Sequence, residues 1–188
     1  LARLREATGA DAASPERAPV AGRDALTAGI AWFAQAFDER RGGFGGAPKF
    51  PRPSELLFLL HAYALTGDWQ ARTMALDTLR AMSLGGMRDH LGGGFHRYSV
   101  DAEWRVPHFE KMLYDQAQLV LAYLEAGQAG GDEYYGAVAE DTLAYVARDL
   151  TSPDGAFYSA EDADSLVPGG DAHEKREGAF YVWSHGEL

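Results

Sequence analysis

Apolar residues run along this chain in two alternating patterns. In Asp24–Phe37, Leu26, Ile30, Phe33 and Phe37 recur at helical spacing with polar groups opposite, which predicts an amphipathic helix with one buried stripe. After the glycine and proline loop Arg41–Arg52, Pro53 opens a helix in which Leu56, Leu57, Phe58, Leu59 and Leu60 cover nearly the whole circumference. A helix apolar all round is buried all round. Asp68 then caps a third helix, where Trp69, Leu76, Leu79 and Met82 return to a single stripe. The long loop Leu84–Val106 leads to a second, nearly all-apolar helix, predicted from Pro107 to about Ala126 because Pro is favoured at a first helical position. Its body holds Met112, Leu113, Leu119, Val120, Tyr123 and Leu124. Asp132 is the N-cap of a fifth helix, one-sided again through Tyr135, Val138, Ala139, Thr142, Leu143 and Val146. Asp149–Pro153 ends it. Gly155–Ala160 and Gly178–Trp183 then read as two short strands of a hairpin around a polar loop.

The order is therefore one-sided, buried, one-sided, buried, one-sided. Long loops lead into the buried helices and short ones lead out. Glycine–aromatic motifs at 42–45, 92–95 and 155–158 fall in the long loops, a recurrence of about 50 to 60 residues that signals repeated helical hairpins. Two concentric rings satisfy both patterns: an all-α fold, a partial α/α toroid with short β-hairpins in long loops gathered over the N-termini of the inner helices. Residues 1–22, rich in Ala, Arg and Pro, read as linker, with Leu1–Thr8 as the helical end of something upstream. Residues 23–188 read as the N-terminal part of the toroid. Ser184-His-Gly-Glu187 has capping-box spacing and Leu188 would begin an apolar stripe. The expectation is a ring truncated at its C-terminus, with exposed apolar edges.

Composition narrows the function. A chain of 188 residues, 46% hydrophobic and 12% aromatic, is globular and forms one domain or part of one. The formal charge of −11 runs against the phosphate neutralisation that drives nucleic-acid binding, so no nucleic-acid partner is expected. With no cysteine, disulfides, thiolate metal sites and thiol redox chemistry within the chain are excluded, and the zinc deaminase pattern goes with them. No apolar run approaches the roughly 20 residues that cross a bilayer. Leu1 is not followed by a charged-then-apolar leader. The expectation is a cytoplasmic protein without membrane contact.

Candidate chemistry gathers between Gly92 and Asp115. On the predicted helix, His108, Lys111 and Asp115 share one face, and Glu110 and Tyr114 share another. His108 and Glu110 would sit on the first turn, where the helix dipole favours anions. Phe95, Tyr98 and Trp104 crowd the same mouth, so the polar groups read either as ligand contacts in an aromatic-lined pocket or as a dipole-favouring acid and a buried polar pair. Glu161-Asp162-Ala-Asp164 packs three carboxylates into four positions. One of them could be a general acid beside an ionised neighbour, or all three a solvated turn. Gly42–Lys49 is not a phosphate loop, since Phe50 stands where Ser or Thr is required; its glycines serve a tight turn and close packing. An EF-hand reading of the acidic stretch fails at Leu166. His90, His96 and His108 lack metal-ligand spacing, so neither a metal nor any other cofactor is expected.

Four stretches resemble one family: Gly-Gly-Phe-Gly-Gly-Ala-Pro-Lys-Phe-Pro from Gly42, Asp89–Asp101, Val106–Gln116 and Phe157–Ser165. It is the thioredoxin-domain-containing family that includes spermatogenesis-associated protein 20. The resemblance covers about residues 24–188. It implies an upstream thioredoxin-like domain, as partner, followed by a six-hairpin α/α toroid similar to N-acylglucosamine 2-epimerases and six-hairpin glycosidases. It fixes the fold better than the reaction.

Two function classes follow. The first is a carbohydrate-active toroid. As an epimerase or isomerase, His108, with or without His96, would move a proton beside an open-chain sugar carbonyl. As a glycosidase, two carboxylates among Glu110, Asp115, Asp162 and Asp164 would act as acid and base. Trp104, Tyr98 and Tyr158 would stack on sugar faces, with Arg97, Tyr114 and Glu161 among the binding groups. The second class is a non-catalytic binding or scaffold module serving the thioredoxin-like domain.

Overall fold

The computed structural model describes residues 22–183, 185 and 186. Apart from Gly22, the linker expected over 1–22 lies outside them, as do Ser184 and Glu187 of the expected capping box. Among the described residues there are five helices: α1 (Arg23–Ala36), α2 (Pro53–Thr66), α3 (Trp69–Leu84), α4 (Leu113–Gly130) and α5 (Glu133–Asp149). Asp68 caps α3 by accepting from the Ala71 amide, and Asp132 caps α5 by accepting from the Tyr134 amide. Gly67 (φ 74°) and Gly131 (φ 67°) end α2 and α4 in the left-handed region that glycine enters at no steric cost, which makes both exit turns short.

α2 and α4 pack side by side as the inner layer, with α1, α3 and α5 outside them. The core runs between the layers through Leu56, Leu59 and Leu60 of α2, Met74, Leu79 and Met82 of α3, Leu119, Tyr123 and Ala126 of α4, and Val138 and Ala139 of α5. This alternation is the α/α toroid, carried by helices with short antiparallel strand pairs in the loops. The inner helices are not buried all round. Leu65, Leu121 and Leu124 are exposed, because no described element packs on that face. Trp69, expected in a stripe, is likewise largely exposed, where it holds the Arg72 guanidinium over its ring.

Pro107 does not start a helix. Pro107–His108 (β2) pairs antiparallel with Tyr98–Ser99 (β1), and Lys111–Met112 (β3) pairs with Ala160–Glu161 (β4). Backbone groups that a helix from Pro107 would bond within itself are bonded across the loops instead: Arg97 N donates to Glu110 O at 2.8 Å and Leu113 N to Ser159 O at 2.9 Å. α4 therefore begins six residues later than its proline suggests. The downstream hairpin also shifts. It is Asp164–Leu166 (β5) against Lys175–Glu177 (β6), whereas Gly155–Ala160 contributes only the bridge Phe157↔Thr151 and the start of β4. Gly178–Tyr181 is a turn, seated on the Phe109 ring so closely that a Cβ at Gly178 would lie 2.5 Å from it.

The recurrent glycine motifs prove to be one device used twice. In the loop before α2, Lys49 Nζ donates to Asp38 Oδ2 at 2.8 Å and to Gly42 O at 2.7 Å, with its charge over the Trp104 ring. In the loop before α4, Lys111 Nζ donates to Asp89 Oδ2 at 2.9 Å and to Gly93 O at 2.9 Å, over the Tyr145 ring. In each, the Asp side chain also accepts amides two and three residues on, and the glycine carbonyl is presented by residues with positive φ. Both lysines are 1% exposed. The two clips close the long loops on themselves, the second also against Tyr145 of α5, and the bridge Lys49↔Ser99 ties one loop to the next.

Candidate functional site

The loops so fixed bring one group of predicted residues together above the N-terminus of α4. Tyr98 and His108 are cross-strand partners of β1 and β2, so their rings stack at 4.9 Å and 18°. Phe50 stacks on Tyr98 at 4.8 Å. Phe50 follows a clip lysine, which aims it there. Arg97 donates to Glu110 Oε2 at 2.6 Å, and His108 Nε2 stands 4.0 Å from the same oxygen. The other imidazole nitrogen, Nδ1, lies 2.7 Å from Glu177 Oε1. Tyr114 and Asp115 enter from the first turn of α4, with Tyr114 beside Arg97.

Asp115 is the electrostatic anomaly of the group. It is 6% exposed, and its Oδ2 has no hydrogen-bond partner among the described residues. Burial pushes its carboxyl up to about 6; nearby Arg97 pulls it down, and the like charge of Glu110 pushes it up again. An acid that changes charge near neutrality, beside the Arg97–Glu110 ion pair, can give and take protons or accept ligand hydroxyls.

The remaining predicted residues go elsewhere. His96 is buried behind Phe109, bonded through Nδ1 to Phe109 O at 3.1 Å and set edge-on against Tyr181. Burial first, then the Lys111 charge, lowers its pKa to about 4, so it stays neutral at physiological pH. Glu161 accepts from the hydroxyls of Tyr145 at 2.7 Å and Tyr181 at 3.0 Å, beside the second clip. Lys111, Tyr145, Glu161 and Tyr181 also line a cavity of about 280 Å³ with Arg148 and Asp149. Trp104 is core, not rim: it is 1% exposed and its indole donates to Arg41 O at 3.0 Å. Asp162 is exposed, accepts from the Asp164 amide at 3.1 Å in a turn and faces Lys175 at 3.7 Å. Asp164 and Tyr158 are exposed too. Among the described residues no His, Asp and Glu cluster has the geometry to hold a metal ion, and no helix is long and apolar enough to cross a membrane.

Sequence reasoning missed Glu177 and Phe50. Glu177 is 69 positions from His108, in a loop whose pairing no local pattern announces. Phe50 stood in a recognised motif but without a visible partner.

The class of fold that holds this site is shared with sugar epimerases of known structure. A sugar epimerase from a ruminal bacterium superposes with a TM-score of 0.65 at 19% identity, covering 74% of this chain and 40% of that one. The cellobiose 2-epimerase of Spirochaeta thermophila DSM 6192 gives 0.65 at 21%, covering 73% and 38%. Identities this low establish the fold alone. In sequence, the chain is homologous to proteins named spermatogenesis-associated protein 20, being 54% identical to the Homo sapiens protein over 158 residues. The match takes in 82% of this chain and 20% of that protein, so the chain spans about a fifth of the relative's length. No protein-family model matches it.

Proposed function

We propose that the mouth above α4 is part of a carbohydrate site, and that the chemistry it supports best is proton transfer beside a sugar carbonyl, as in an epimerase or isomerase. The observation that carries this reading is that His108, stacked with Tyr98 and so with Phe50, stands beside the Arg97–Glu110 pair, whose charges in turn act on Asp115 and its unpartnered buried oxygen. An aromatic floor with a few polar groups suits a sugar, whose ring presents C–H faces and hydroxyl edges. His108 Nε2 would remove the proton on the carbon next to the carbonyl. The electron pair passes to the carbonyl oxygen, where the Arg97 charge favours it, and a proton returned to the opposite face inverts the centre. Asp115 would orient a hydroxyl or return that proton. The epimerase-like fold agrees with this reading.

The glycosidase version is weaker, because Glu110 is committed to Arg97 at 2.6 Å and Asp162 is an exposed turn residue. A non-catalytic binding module is the second reading. It is favoured by the mutual pairing of Arg97, Glu110, His108 and Glu177, which could serve only to hold loops. The upstream thioredoxin-like domain and the cytoplasmic location belong to the proposal. The test is a thermal-shift screen of mono- and disaccharides on the full chain, with hits followed by NMR for turnover. Turnover lost in His108→Ala is expected. Binding without turnover would establish the second reading.

A further inference from the structure

We infer that Glu177 is the positioning residue of His108: it fixes the neutral imidazole as the Nδ1–H tautomer and turns Nε2, as the free base, toward the Arg97–Glu110 side of the mouth. This deepens the proton-transfer reading above and rests on it. The argument begins with donors and acceptors. An ionised carboxylate can only accept, so the 2.7 Å contact between His108 Nδ1 and Glu177 Oε1 requires a proton on Nδ1. A neutral imidazole carries one N–H, and which nitrogen bears it is set by the hydrogen bond it makes. Nε2 is thereby left bare. It stands 4.0 Å from Glu110 Oε2, too far for a hydrogen bond, and Glu110 is already satisfied by Arg97.

Three further features show that Glu177 is delivered to this position. It ends β6, whose pairing with β5 places Glu177 opposite Asp164. The next residue, Gly178, has φ of 70° and presses on the Phe109 ring, while its amide donates to Ala163 O at 3.0 Å. The Phe109 amide approaches the same Glu177 oxygen at 3.4 Å. The hairpin is thus locked to the residue adjoining His108, and the Tyr98 ring fixes the plane of the imidazole from the side. A histidine side chain free in water prefers its proton on Nε2, which would make that nitrogen a donor and useless as a base. Glu177 reverses the preference.

The experiment is nitrogen-15 NMR of the full chain labelled at its six histidines, at alkaline pH where imidazoles are neutral, with His108 assigned by His108→Gln. The parent is expected to show Nδ1 protonated and Nε2 bare, and Glu177→Ala to move the proton to Nε2. Lys175→Ala, an exposed change in the same strand, should leave the tautomer as in the parent and so separates loss of the carboxylate from loss of the hairpin. A parent ring protonated at Nε2, or an unchanged tautomer in Glu177→Ala, would overturn the inference whatever the sugar assays show. On a sugar that the parent turns over, Glu177→Ala should lower kcat by roughly tenfold or more with KM little changed. An inverted tautomer with kcat unchanged would sink the positioning role while leaving the carbohydrate reading intact. Turnover that survives His108→Ala would sink that reading instead, and the tautomer data would stand apart from it.

Discussion

Replacing Lys111 by Met tests the loop clips directly. The side chain of Lys111 is 2% exposed and that of its partner Asp89 11%, and they meet at 2.9 Å. Met keeps the length of the stem and removes three donors. The Gly93 carbonyl then loses its side-chain donor and Asp89 its counter-charge, although Asp89 keeps the Leu91 and Gly92 amides. Breaking a buried pair from one side costs about 3–5 kcal/mol, and the two retained amides point to about 3. That is a large part of the roughly 5–15 kcal/mol that holds a domain together. The loss also depends on pH. Burial would raise the Asp89 carboxyl, but the Lys111 hydrogen bond and the Gly92 and Leu91 amides outweigh burial and hold it below its ordinary 3.8. A depressed folded pKa adds stability above the unfolded value, and that stability is lost as pH falls through the folded one. The gap between parent and Lys111→Met should therefore be full at pH 7 and shrink in acid. Urea unfolding of the full chain, followed by tryptophan fluorescence at pH 7 and in acid, measures both. A pH 7 loss under 1 kcal/mol would refute the clip as a stabilising element. Lys49→Met should behave alike, its partner Asp38 being held below 3.8 against burial by Lys49.

Other changes separate the site from its scaffold. Asp115 has a raised folded pKa, about 6 against 3.8, so its contribution is present below 3.8 and lost as pH rises through 6. Asp115→Asn should gain on the parent by about 2 kcal/mol between pH 4 and 7 in urea unfolding; a constant difference would contradict the burial argument. Gly94→Ala places a Cβ 2.4 Å from the Tyr145 ring at φ of 74°, and should cost more than about 2 kcal/mol, whereas Gly155→Ala, in open space, should cost about 1. Trp104→Ala should cost roughly 3–5 kcal/mol as a core deletion, where a rim platform for sugar would lose binding and keep its melting temperature.

The helices were legible because their signals are local. Asp68 and Asp132 cap where capping chemistry places them, and Gly67 ends α2 where expected, whereas α4 runs on to Gly130, past its expected end near Ala126. The site was legible as a neighbourhood only. His108, Glu110, Tyr98, Arg97 and Asp115 do gather, yet Pro107 is a strand residue, because loop pairing with β1 outweighs the weak preference of Pro for a first turn. Trp104 illustrates the opposite limit. An aromatic among charged residues reads as rim, and only the distant carbonyl of Arg41, which accepts its indole proton, shows that it is core.

The clips also explain why site and scaffold are hard to separate by mutation. Phe50 follows Lys49, and Glu110 precedes Lys111. Arg97 and Tyr98 lie a few residues beyond Gly93, whose carbonyl Lys111 holds. Each group in the mouth is thus placed by the backbone on which a buried lysine is pinned. Glu110 itself is held from both ends by Arg97, whose amide donates to its carbonyl at 2.8 Å and whose guanidinium donates to its carboxylate at 2.6 Å. A Lys111 substitution that abolished activity would therefore say nothing of proton transfer by Lys111, whose three donors are taken up by Asp89, Gly93 and the Tyr145 face. The residues whose loss can be read as chemistry are those whose removal leaves both clips closed: His108, Asp115 and Glu177.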